Sequence, residues 1–117
     1  MPQTPPGPEG SNGKGRIITH YIVVRPDLPR GVLAAQVTHA AGESSPGGLP
    51  SGTYAVVLQA GTERLVALEE RLIQSGVPHK AIRENDPPYS GELLAIGLEP
   101  AERRKVQKHI SSLPLLR

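Results

Sequence analysis

The chain has 117 residues, 13 Lys and Arg against 11 Asp and Glu, and no Cys, Phe or Trp. That length suits one domain with its own core, which has to be built from Leu, Ile, Val and Ala. Without cysteine there is no disulfide scaffold, thiolate metal site or thiol nucleophile, and a net charge of +2 tolerates an anionic partner without demanding one.

Residues 1–15 hold four Pro and four Gly and no Leu, Ile or Val, a composition that cannot offset its ordering entropy. They read as a disordered tail, and residues 16–117 as the domain. Nothing in the chain has the length and apolarity of a signal peptide or membrane span, so a cytoplasmic protein without a membrane partner is expected.

The first strand is expected over Ile17–Arg25, where a continuous apolar run signals burial on both faces. Pro26, Asp27 and Pro29 end it. A helix follows from about Gly31 to Glu43 (GVLAAQVTHAAGE), with Leu33, Val37, Ala40 and Ala41 as its core stripe. Turn formers at residues 44–52 lead to a second buried strand, Thr53–Gln59. Thr62 is expected to cap a second helix that Gly76 stops. Leu65, Leu68 and Leu72 share one face of it, and an ion pair is the one role suggested for Glu69 in the same arc. A third strand, His79–Arg83, is followed by a polar loop and a fourth strand, Glu92–Leu98. Pro100 then fits the first position of a last helix ending at Ile110, with Val106 and Ile110 inward.

Two right-handed crossovers predict that the first three strands run parallel, and the short link predicts an antiparallel fourth. The expected fold class is α/β: a three-layer α/β/α sandwich with a mixed four-stranded sheet.

Chemistry is expected around the first helix. Val32, Gln36 and His39 form a strip along its edge at i+4 and i+3 spacing. An amide there can donate to a carbonyl oxygen, and an imidazole can accept or relay a proton. The same spacing also fits an ordinary edge histidine bonded to backbone or solvent. Glu84 and Asp86, just past the third strand, are the other acid–base or positioning candidates, in a segment that equally fits a solvated turn. Arg25, Arg30, Lys80, Arg83, Arg103, Arg104, Lys105 and Lys108 could hold an RNA backbone, although such charges are usually a solvated face. The four His residues have no metal-ligand spacing, and no phosphate loop, dinucleotide fingerprint or GxSxG elbow is present. No cofactor is expected.

The runs IVVRPDL, GVLAAQVTHAA, SGVPHKAIRE and LLAIGLEP, within residues 17–113, together resemble the type II peptidyl-tRNA hydrolase family. The resemblance is nearest to a divergent branch, the peptidyl-tRNA hydrolase domain-containing proteins. It implies an α/β/α fold and hydrolysis of the ester between a peptide and the ribose of tRNA, which recycles the tRNA for translation. It implies Gln36, His39 and Glu84 as catalytic residues, and Arg25, Arg30, Arg83, Arg104 and Lys108 as contacts to the tRNA backbone. The family's signature lysine falls on Val32, its first lysine on Arg30, and its loop aspartate on Glu84. The loop here is shorter, and Ser90 and Tyr89 carry its only hydroxyls. Peptidyl-tRNA is therefore the expected partner, bound by a monomer or homodimer. A binding module of the same fold that recognises tRNA or a protein without cleavage is the alternative.

Overall fold

A computed structural model describes residues 17–117, and the tail expected over residues 1–15 lies outside them. The elements are β1 (Ile18–Val24), α1 (Arg30–Ser44), β2 (Tyr54–Gln59), α2 (Thr62–Ser75), β3 (His79–Glu84), β4 (Glu92–Leu98), β5 (Ala101–Glu102) and α3 (Arg103–Ile110). They form a mixed α/β fold of five strands and three helices. Gly61, not Thr62, is the N-cap of α2, and Gly76 ends that helix in the left-handed region at φ 69°. The last helix starts at Arg103, after Pro100, because Ala101 and Glu102 pair with β1 before the chain turns helical.

The strand order is β2-β1-β4-β3, with β5 also on β1. This corrects the expected four-stranded sheet with three parallel strands. Only β1 and β2 pair in parallel; β4 lies between β1 and β3 and is antiparallel to both. β3 runs in the direction of β1 without a parallel neighbour. Apolar content accounts for the two central strands and for β3. β1 is buried from Thr19 and β4 from Leu93, as central strands are, whereas β3, polar in most positions, fully buries Ile82 alone and takes an edge. β2 takes the other edge and is largely exposed at Tyr54 and Ala55, not the buried strand its composition suggested. The C-terminal tail lies along its outer side: Gln59 N–H donates to Pro114 C=O and Leu116 N–H to Val57 C=O, both at 2.9 Å. Those bonds occupy part of an otherwise open sheet edge.

The core has two halves. Tyr21, Val23, Ile96 and Leu98 meet Leu65, Leu68 and Leu72 of α2 and Val106 and Ile110 of α3. Ile22, Val24, Ile82, Leu94 and Ala95 meet α1 on the opposite face. Adjacent Leu94 and Ala95 share a face because β4 bulges there: Ile82 pairs with Ala95, but Arg83 pairs with Leu93. One extra residue reverses the alternation for everything before it. Leu93 turns toward α2, and Glu92 is placed on the α1 side.

α1 lies very close to the sheet. Its buried line is Gln36, Ala40 and Ser44, displaced from the stripe of larger apolar residues that the sequence suggested. A Cβ on Gly97 of β4 would collide with the Ala40 carbonyl oxygen and Ser44 Oγ. Only small residues allow this approach, so Leu33, Val37 and Ala41 are left half-buried at the side. Ser44 Oγ donates to Ala40 C=O at 2.6 Å and accepts from His20 Nε2 at 2.8 Å, which places the imidazole proton on Nε2. Burial holds the His20 pKa below its ordinary 6.5.

Two outcomes are expected. Gly97→Ala should cost about 3 kcal/mol in urea unfolding, the upper end for overpacking, because backbone must move. Below pH 6.5 the unfolded chain takes up a proton that folded His20 refuses, so stability should fall with pH until the folded pKa is reached. His20→Gln should reduce that slope in a pH series of thermal unfolding.

Candidate functional site at the edge where β1 and β3 end

β1 and β3 end, and β4 and α1 begin, along one border of the sheet. Arg25 follows β1, and its backbone N–H still bonds Leu94 C=O at 3.1 Å. Its guanidinium is buried, with 10 % of the side chain exposed, between two solvated carboxylates. Nε and Nη2 donate to Asp27 Oδ1 and Oδ2 at 3.1 and 2.8 Å, and Nη1 donates to Glu92 Oε1 at 2.5 Å. The bidentate bond to Arg25 pulls the Asp27 pKa down, and Arg25 is raised mainly by the same bond. Arg25 was expected at the site, but as a contact for tRNA. Most of its hydrogen-bonding capacity is already committed, so its role in the protein is to pin the β1–α1 turn to β4. Sequence reading missed Glu92, because it meets Arg25 only through the β4 bulge.

Gln36 is the most unusual residue of this region. It is 5 % exposed on the sheet-facing side of α1, yet its side chain makes no hydrogen bond among the described residues. Its amide is not sealed off either, unlike Thr19 Oγ1 and His109 Nδ1, whose buried polar atoms are closed to solvent. Buried polar groups normally find partners in the fold, and an unpaired amide with access to solvent is suited to a ligand. Val32, one turn earlier, is half-buried against the α1-side core, as is Tyr89 of the β3–β4 loop.

The other expected residues are dispersed. Glu84 is two residues past Ile82 and so shares the α1 side with Gln36 by strand alternation. Its Oε2 accepts from the Asp86 N–H at 3.1 Å, and Gly91 N–H donates to Glu84 C=O at 2.7 Å, so both groups help close the β3–β4 turn. His39 is exposed on α1. Arg83 belongs to the opposite face, where Nη1 and Nη2 bind Glu69 of α2 at 2.9 and 2.7 Å. That contact supplies the ion pair expected for Glu69, whose pKa Arg83 lowers. Arg104, at the start of α3, is exposed and donates to Glu102 at 3.1 Å, and Lys108 is exposed farther along the same helix. Arg30 opens α1, exposed and free of side-chain hydrogen bonds among the described residues. The expected set therefore divides: Gln36 and Glu84 share one side of the border with Arg25 beside them, while Arg83, Arg104 and Lys108 lie elsewhere.

The start of α1 completes the border. Pro29 is its N-cap, with no side-chain cap and no acid in the first turn, and the first helical bond is Leu33 N–H to Pro29 C=O at 2.8 Å. The preceding N–H groups are left for an anion or water. Two cavities lie away from this border. One of about 360 Å³ lies between β2, α3 and the C-terminal tail, and one of about 110 Å³ between α2 and α3.

No protein-family model and no curated protein matches the chain. Among solved structures it is similar to a protein of unknown function from Agrobacterium tumefaciens strain C58. The identity is 16 %, the match covers 84 % of this chain and 96 % of the other, and the TM-score is 0.54. That likeness establishes a shared fold.

Arg25→Met should change stability by about 1 kcal/mol or less, since both freed carboxylates remain in water and burying the guanidinium is itself costly. A carboxylate with a depressed pKa contributes stability above its ordinary value, here 3.8 for Asp27, and loses it as pH falls through the folded value. The same substitution should therefore flatten the loss of stability below about pH 4 in urea unfolding.

Proposed function

We propose that this chain is a peptidyl-tRNA hydrolase-like protein that hydrolyses the ester between a peptide and tRNA. The observation that carries the proposal is the Gln36 amide, buried, unpaired and open to solvent beside the border where β1 and β3 end. A fixed amide N–H is suited to the ester carbonyl oxygen, whose negative charge grows as water attacks. The uncapped α1 N-terminus, with Arg30 on its first turn, suits the terminal phosphate and ribose of the tRNA. Glu84 is the carboxylate on the same side, and in this reading it positions the water while its second oxygen holds the turn. His39, one turn beyond Gln36, contacts the peptide end. The tRNA arm extends over exposed basic side chains, among them Arg104 and Lys108 on α3. Arg83 would have to leave Glu69 to join them.

A second reading is favoured by Val32, which packs half-buried against the apolar core at the position where the resembling family carries its lysine. With no ammonium there, the oxyanion depends on neutral donors. One missing donor of this kind commonly slows turnover by about 10²–10³-fold. In this reading the fold binds tRNA without cutting it.

Release of labelled peptide from N-acetylaminoacyl-tRNA by the full chain discriminates the two. Slow turnover that Gln36→Leu reduces by a further ~10²-fold is the expected result. Because the amide has no partner in the fold, Gln36→Leu should keep or raise thermal stability, by up to about 1 kcal/mol. No turnover above buffer at high protein concentration would sink the hydrolase. Salt-sensitive tRNA binding that survives His39→Ala would then establish the binding module.

A further inference from the structure

α2 and α3 pack side by side on the face of the sheet away from α1, and the cavity of about 110 Å³ lies between them. Arg64, Arg71, His109 and Ser112 line it. Arg64 Nη2 donates to Ser112 Oγ at 2.9 Å and to Ser112 C=O at 3.4 Å, and Arg71 Nη1 donates to His109 C=O at 3.5 Å. These bonds cap the C-terminal end of α3, an ordinary use of arginine. They do not account for the rest of the cluster. Neither guanidinium has a carboxylate partner among the described residues, and each keeps most of its five N–H donors unused. His109 is 6 % exposed, with no partner for Nδ1. Ser112 Oγ accepts from Arg64, so its own proton is free to be donated.

The charges that act on His109 are positive. Burial, then Lys108 and Arg71, push the His109 pKa below its ordinary value. A buried polar group without a partner, in one cavity with a hydroxyl proton and two guanidiniums that lack a carboxylate among the described residues, is a set of donors short of an acceptor.

We propose that this cleft binds a tetrahedral oxyanion, the phosphate of a phosphomonoester or phosphodiester. Arg64 and Arg71 hold the charge, Ser112 donates to one oxygen, and the His109 imidazole, which lines the cleft, turns to meet another. The cavity has room for the phosphate and leaves the remainder of the ligand outside. The assignment is independent of the reading given to the α1 border, since it rests on a different face of the sheet.

The experiment is a titration of the full chain with inorganic phosphate, followed by NMR of the His109 imidazole and the arginine Nε–H signals, with chloride matching the ionic strength. Saturable shifts are expected, weakened at least tenfold by Arg71→Gln and by His109→Gln, with thermal unfolding showing both variants folded. A short oligoribonucleotide that displaces phosphate would identify a nucleic-acid backbone as the source; saturation by phosphate without such displacement would identify a small phosphorylated ligand. Either upholds the site. Shifts that chloride reproduces, or that never saturate, overturn it, as does a folded Arg71→Gln chain that binds phosphate as tightly as the parent.

Discussion

The backbone contact between α1 and β4 at Gly97 governs the rest of the structure. With no Cβ at that position, the Ala40–Ser44 turn of the helix settles almost onto the strand. The helix then has one rotation available, with Gln36, Ala40 and Ser44 inward. His20 secures it from β1 through Ser44, which ties the helix to both central strands at once. A pair of hydrogen bonds in a dry interior is worth having only if both are made, and here the chain His20–Ser44–Ala40 is complete. The same rotation carries Gln36 under the helix, where the fold offers it no partner.

The polar border depends on a second constraint, the bulge in β4. An unbulged β4 would alternate regularly, and Glu92 would fall on the α2 side. The extra residue moves it to the α1 side, within reach of Arg25. Arg25, held by Glu92 and Asp27, then fixes the turn from which α1 starts. Bulges often occur where a strand must re-aim a side chain near a site. The positioned carboxylates and the buried guanidinium thus form a scaffold, and the amide of Gln36 on the same side of the sheet has no partner in the fold.

Part of the candidate site was legible in the chain, and the remainder was hidden for identifiable reasons. The A-A-Q-x-x-H-A-A spacing marked Gln36, and the end of the third strand marked Glu84, but not the face of the sheet it takes. Spacing could not show that His39, three residues on, lies outside the buried arc, because the large apolar residues mark a different stripe of the helix. Ala40 and Ser44 take the centre where this helix meets Gly97, since closeness there rewards low volume more than it rewards apolar area. Charge counting grouped Arg83 with the other cations, and nothing local announced that Glu69, fourteen residues earlier, would claim it. The Arg64–Arg71–His109 cluster was likewise invisible, as it joins two helices whose contact is purely tertiary.

By itself the sequence determined the elements. Apolar runs, glycine stops and proline breaks located the four main strands and three helices to within a few residues, because those signals act over a single turn or strand. Only the tertiary structure decided their arrangement. β4 takes the centre of the sheet because its seven residues bury almost completely between two layers, which no local propensity encodes. The bulge has no signature in ELLAIGL, the two-residue β5 exists only as a partner for β1, and the rotation of α1 is set by a glycine more than fifty residues away. Sequence alone can mark Gln36 as polar on a helix; its lack of a partner is a property of everything packed around it.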